Sequence, residues 1–182
     1  MSSGLVTEDW LVVHCEPLRK LEEGEQFDSY NDLNEMMLRY LCVMDDHLAE
    51  VGEFESEAKS DLHKLHLKTD LVLNLMGEML WGQLRLTPPK RVQLSAGEIW
   101  WQGKDSFEPD QLIRLQIYPK RNFPIKLSFL ARVLPAEKKE DGIEMLGARF
   151  CEPTETLVYW LEKYIFQQHR RRVARQTDLE SL

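Results

Sequence analysis

His63 and His66 stand three residues apart, close to Asp61, and two imidazoles at that spacing on one helix can share a metal ion. Ser95 carries a hydroxyl in a small Ser95-Ala96-Gly97 turn between two strand-like runs, Arg91-Val92-Gln93-Leu94 and Ile99-Trp100-Trp101. His169-Arg170-Arg171-Arg172-Val173-Ala174-Arg175 is a basic run. Each group has a plainer reading. The two histidines fall on solvent-facing positions of a helical repeat described below, so no metal site is expected. Ser95 lacks the strand-to-helix elbow that exposes a nucleophile, and no His stands beside it in the sequence. No phosphate-binding loop or dinucleotide fingerprint occurs. No catalytic residues and no enzyme activity are therefore expected. The basic run suits the last turn of a helix, where cations meet the negative end of the dipole. A docking patch for an acidic partner or a lipid headgroup is the alternative.

The composition narrows the class. The chain has 182 residues and is 43% hydrophobic, as in an ordinary globular protein. No apolar run approaches the roughly 18–20 residues needed to span a bilayer. MSSGLVTEDW lacks a positive segment followed by an apolar one, so no signal peptide is expected. Cys15, Cys42 and Cys151 are few and far apart, which fits reduced thiols in a cytoplasm. The net charge of −8 argues against general nucleic-acid binding, which needs a basic surface. Residues 21–64 hold 13 Asp or Glu against three Lys or Arg, a local −10, so the rest is about +2.

Three zones must carry these groups. Residues 1–26 contain one apolar run, Trp10-Leu11-Val12-Val13-His14-Cys15, stopped by Pro17, and read as an arm or short strand with a linker. Residues 27–82 contain no proline. With Tyr30 at heptad position a, the a positions are Tyr30, Met37, Met44, Val51, Ala58, Leu65, Val72 and Met79, all apolar and in phase. His63 and His66 fall at f and b. Leu41, Leu48, Leu62 and Met76 at e, with Met36, Val43 and Leu71 at g, widen the stripe. Asp61 and Lys68 at d weaken its middle. A helical hairpin broken near Gly52 and one continuous helix compete here. The unbroken frame predicts one helix of about 50 residues, roughly 75 Å long. No small domain could cover it, so copies are expected to cover each other. The wide stripe predicts a tetramer, with a dimer as the alternative.

Residues 83–176 change period. Arg91–Leu94, Ile99–Gln102, Leu112–Tyr118, Ile125–Leu134 and Gly142–Phe150 read as strands of a small antiparallel barrel or sandwich. Trp100 and Trp101 are consecutive, so one points in and one out. Pro153-Thr154-Glu155 opens a helix whose apolar stripe is Leu157, Trp160, Leu161, Tyr164 and Ile165. Residues 177–182 read as a loose tail.

The order strand, Ser-Ala-Gly turn, strands, Leu146-Gly147-Ala148-Arg149-Phe150, amphipathic helix resembles the PilZ domain over about residues 83–172. With the heptad helix added, the chain resembles the oligomeric, non-standard PilZ proteins of xanthomonads. The resemblance implies an α+β chain with a mainly β core: a six-stranded antiparallel β-barrel with a C-terminal helix, plus a long N-terminal coiled-coil helix. It also implies a place in cyclic di-GMP signalling, controlling motility, pili, biofilm or virulence. PilZ domains typically hold cyclic di-GMP through RxxxR just before the barrel and [D/N]xSxxG on the first strands. The second motif aligns as Gln93-Leu94-Ser95-Ala96-Gly97-Glu98. Ser95 matches, Gln93 replaces Asp or Asn, and Glu98 replaces the final Gly. RxxxR is missing from its place, where Arg85 and Arg91 stand six apart, and the literal match at Arg171 and Arg175 follows the last helix. The expectation is a non-enzymatic adaptor that has lost cyclic di-GMP, with no cofactor and an unidentified protein partner. The alternative is a receptor using Arg85, Lys90, Arg91 and Ser95.

Overall fold

Ile113, Leu115 and Ile117 alternate along one strand and are fully buried, while Arg114 and Gln116 between them are not. That period of two marks one face packed on a core and one turned outward. The same pattern recurs in Val92 and Leu94, in Ile99 and Trp101, and in Phe129, Ala131 and Val133. The computed structural model describes residues 5–18, 25–50, 57–83, 87–103, 107–120, 125–138 and 143–180. Its elements are β1 (Thr7–Pro17), α1 (Glu25–Glu50), α2 (Glu57–Gln83), β2 (Lys90–Leu94), β3 (Glu98–Gln102), β4 (Leu112–Tyr118), β5 (Leu127–Lys138), β6 (Glu144–Phe150) and α3 (Glu155–Glu180).

The strands close into an antiparallel barrel in the order β1-β2-β3-β6-β5-β4. Closure leaves no open sheet edge around the ring. β1 is the closing strand. It pairs with β2 from Thr7↔Leu94 to Leu11↔Lys90 and with β4 from Val12↔Tyr118 to Pro17↔Ile113. The sequence reading placed residues 1–26 outside a barrel beginning at residue 83, and the register corrects that boundary. The arm is a barrel strand because Leu11 and Val13 supply core that the later strands leave open. Two further boundaries move. β5 runs through Pro135 to Lys138, because Pro135 sits where the register with β6 shifts and no ladder N–H is required. α3 continues through Gln176 to Glu180, with no Gly or Pro to stop it, where a loose tail was expected.

α3 starts as its sequence predicts. Thr154 is the N-cap, its Oγ1 accepting from the Leu157 N–H at 3.1 Å. Leu157, Leu161, Tyr164 and Ile165 are buried in the main core, and Trp160 packs at its margin. α1 lies beside α3 and over β5. Its buried residues are Asn31, Asn34, Leu38, Leu41 and Cys42, which occupy heptad positions b, e and f. Tyr30 and Met37 at a are half-buried. The chain's own β5 and α3 therefore cover α1, where the sequence reading expected only other copies to do so.

The docking of α1 is specific. The Asn34 side-chain amide donates to the Ser128 C=O at 2.7 Å and accepts the Ser128 N–H at 2.8 Å, both buried. β6 reaches Ala131 of β5, and Cys151 N–H bonds Leu130 O one step further. Asn34 thus stands where the next strand residue would, and completes the ladder beyond the end of β6. Arg114 on β4, 5.9 Å from the Tyr30 ring, ties the start of α1 to the barrel wall.

α2 has no such cover. Leu65, Leu71, Val72, Leu75, Met76 and Met79 are exposed, and α2 packs extensively on no other described element. The a positions Leu65, Val72 and Met79 are bare. Val51 and the side chains of Met44 and Ala58 lie outside the described residues, as does residue segment 51–56, where continuity between α1 and α2 would be decided.

Candidate functional site

The motif residues sit on the β2–β3 hairpin and its outer face. Ser95 builds the turn. Its N–H bonds Glu98 O at 2.9 Å, its hydroxyl bonds the same oxygen at 3.0 Å, and its Oγ accepts the Glu98 N–H at 3.0 Å. This is local side-chain-to-backbone bonding of the kind Ser favours at turns. Gly97 is exposed, and a Cβ there would meet nothing within 4 Å.

Alternation places Arg91 and Gln93 outward, while Val92 and Leu94 enter the core. Lys90 shares the inward parity of Val92, so it leaves the Arg91–Gln93 face. Arg85 lies outside the described residues. Of the described members of the alternative set, Arg91 lies with Ser95 on the motif side and Lys90 does not.

Two carboxylates occupy that face. Across from Gln93 stands Glu8 of β1. Gln93 Nε2 donates to Glu8 Oε1 at 2.5 Å, and Arg91 Nη2 to Oε2 at 3.5 Å. From α3, Arg172 donates to the Glu8 backbone oxygen at 3.2 Å and places Nη2 3.6 Å from Oε2. The hydrogen bond from Gln93, aided by the Arg91 and Arg172 guanidinium groups, holds the Glu8 carboxyl below its ordinary value. The folded state is thus favoured by this cluster above the ordinary carboxylate range, and the gain is lost as pH falls through the lowered folded pKa.

The second carboxylate is Glu98. Arg149, across from it on β6, donates to Oε1 from Nε at 3.2 Å and from Nη2 at 2.9 Å. Next to this pair, Trp100 faces outward over Gly147, and a Cβ on Gly147 would lie 2.5 Å from the indole. Gly147 is therefore what lets the ring lie flat on β6. Trp101 is the inward one of the two and is fully buried.

Sequence reasoning picked out Gln93, Ser95, Gly97 and Glu98 but missed Glu8, Arg149 and Arg172. The Glu98–Arg149 pair had a signal, since antiparallel pairing of β3 with the LGARF strand sets opposite charges face to face. Glu8 had none, because its partners lie far along the chain. Among the described residues no group of His, Cys, Asp and Glu could hold a metal, and no helix is long and apolar enough to cross a membrane.

A family model described as an atypical PilZ domain, cyclic di-GMP receptor, matches residues 38–177. Among solved structures, a pathogenic protein of Xanthomonas campestris, described as a tetrameric PilZ domain self-assembled through an unusual helical bundle, is similar over 96% of this chain and 93% of its own, with 22% identity and a TM-score of 0.72. YcgR of Escherichia coli in complex with cyclic di-GMP is 15% identical over 50% of this chain and 39% of its own, with a TM-score of 0.42. The motility inhibitor of Bacillus subtilis is 20% identical over 47% of this chain and 42% of its own, with a TM-score of 0.38. No curated protein matches.

Proposed function

Because this chain belongs to the atypical PilZ domain family, we propose that it is a non-enzymatic signalling adaptor that self-associates through its helices and does not hold cyclic di-GMP. The observation that carries this reading is the pair of carboxylates on the motif face. Glu8 engages Gln93 and Arg91, and Glu98 engages Arg149. A dianionic nucleotide would have to take those donors from anions already in place. Taking the donors would leave each carboxylate facing the phosphates, a like-charge contact that costs roughly 4 kcal/mol at 4 Å and an effective dielectric of ~20, against about 8 kcal/mol for micromolar affinity. The residues present do not fit the nucleotide.

Self-association rests on the bare α2 stripe, and the tetrameric Xanthomonas protein of similar fold supports four copies over two. Assembly would multiply weak barrel–partner contacts through avidity. The processes served would be those the family resemblance implies: motility, pili, biofilm or virulence. A second reading, a receptor with a rearranged site, is favoured by the family description and by Arg91 on the motif face.

Calorimetric titration with cyclic di-GMP at near-physiological salt separates the two. The expected result is no detectable heat for the natural chain and measurable affinity for the Gln93→Asn, Glu98→Gly double variant. Micromolar binding by the natural chain would establish the receptor reading. A double variant that stays silent would put the loss in the missing RxxxR segment or in Glu8, which the variant keeps, rather than in Glu98.

A further inference from the structure

α1 and α3 run parallel, side by side, tied by Asn31 to Glu152 O, by Thr154 to Glu35 and by Gln167 to Cys42 O. Along the outer side of this pair three cations rest on aromatic rings. The Arg39 guanidinium of α1 lies 5.2 Å from the Trp160 ring centroid, and the Lys163 ammonium 5.1 Å from the same ring. Arg170 lies 5.9 Å from Phe166, and Tyr159 meets Trp160 edge to face at 5.3 Å. Tyr159 and Phe166 are 58% and 51% exposed. Tyr159, Lys163, Phe166 and Arg170 follow steps of four, three and four, which trace one face of a helix. Among the described residues none of Arg39, Lys163 and Arg170 forms an ion pair with a carboxylate. A ring attracts a cation without consuming its hydrogen-bond donors, so the three can still meet an anion.

Two features say what covers this face. The first is its period. Tyr159 and Phe166 are seven apart, and so are Lys163 and Arg170. A straight helix drifts by about 20° per seven residues, so a line kept at that spacing suits a supercoiled helical partner. The second is charge. At about 3.6 residues per turn, Glu155 and Glu162 fall on the flank of α3 opposite to Trp160. A helix laid on the α1 side of the line therefore meets the cations alone. A flat anionic lipid surface would also meet those carboxylates and the exposed Asp28 and Asp32 of α1. A second copy is a poorer match. α3 against α3, antiparallel about Phe166, sets Lys163 against Arg170. The exposed stripe of α2 carries Lys64 and Lys68 against Glu78. On α1 the exposed Asp28 and Asp32 are four apart where the α3 cations are seven apart, and Glu35 is taken by Thr154.

We infer that the face built by Arg39, Lys163 and Arg170 docks an acidic amphipathic helix of a different protein. The apolar stripe of that helix lies on Tyr159 and Phe166, and its carboxylates meet the three cations. The inference rests on the adaptor reading proposed above and gives the chemistry of the partner. α2 gathers the copies, and the α1–α3 face of each copy receives one partner helix.

The test is a calorimetric titration of the full chain with a synthetic three-heptad peptide carrying Leu at a and d and Glu at e and g. The same peptide with Lys at e and g is the control. The Glu peptide should bind, and more weakly as salt rises. Lys163→Glu with Arg170→Glu should weaken it at least about tenfold, and the Lys peptide should not bind the natural chain. Lys163→Gln with Arg170→Gln should weaken the Glu peptide in the same direction, with circular dichroism confirming that each variant keeps its fold. Leu65→Asp with Val72→Asp should leave the affinity unchanged, because α2 is not the docking face. Equal affinity for the two peptides, or binding of neither, would overturn the inference. So would a Lys163→Glu, Arg170→Glu chain whose assembly has half the natural mass by light scattering, because a second copy would then cover the face. Each of these results leaves the adaptor reading standing, and the cyclic di-GMP titration judges that reading separately.

Discussion

Asn34→Leu is expected to destabilise the chain by roughly 2–5 kcal/mol. The side chain nearly matches in volume, so packing changes little. What is lost is both partners of Ser128, whose N–H and C=O are buried and bonded to the Asn34 amide. An unpaired buried backbone group costs about 1–3 kcal/mol, and here two are left. Denaturant unfolding should show the midpoint fall with the slope unchanged. Asn34→Asp adds a pH signature. An ionised carboxylate accepts the Ser128 N–H but has no proton for the Ser128 C=O, and burial disfavours its charge. The folded pKa of the new carboxyl is thus raised above its unfolded value. The variant should be closest to natural stability below the unfolded carboxylate pKa and lose ground as pH rises through the raised folded one. Equal destabilisation of both variants at every pH would show that the amide is not paired as described.

Leu65→Asp with Val72→Asp is expected to take apart whatever assembly α2 supports. Both residues lie at a positions of the heptad and are exposed in the single chain, so the monomer fold has little to lose. In a seam each new carboxylate would be buried without a partner, which costs several kcal/mol per chain. Sedimentation should show a lighter species with an unchanged circular dichroism spectrum per residue. An assembly of unchanged mass would remove α2 from the interface.

The barrel and α3 were legible because their signals are local. Alternation in Leu112–Tyr118, the proline-bounded turns and the Thr154 cap depend on neighbours within a few residues. β1 was seen as a strand but not as a barrel strand. Its pairing partners are β2 and β4, and nothing in TEDWLVVHCEP names them. The heptad frame is a pattern of the sequence, and on α1 it merges two demands. The b and e positions face the chain's own core, while Leu33 at d and Met36 at g stay exposed. Asn31 and Asn34 looked like ordinary polar positions of a solvated helix. Only the missing β6 partner at Ser128 gives Asn34 its role, and that gap is a property of the folded ladder. The motif face shows the same limit. Gln93 and Glu98 stood out by departing from a pattern, while Glu8 became visible only when β1 was laid against β2.

The placement of β1 also sets the order of events at the ribosome. The strand is made first, but β2 follows only after α1 and α2, and the closing partner β4 later still. At about 5–20 residues per second, β1 waits several seconds for its first neighbour. α1 waits longer, since β5 and α3 come near the end. Before β2 is made, the strand's two edges, the Asn34 amide and the α2 stripe are all open to other chains. A nascent chain stalled between α2 and β2 has therefore made all of these surfaces and none of their cover, so it is the form in which this protein is most exposed to aggregation and most in need of a chaperone.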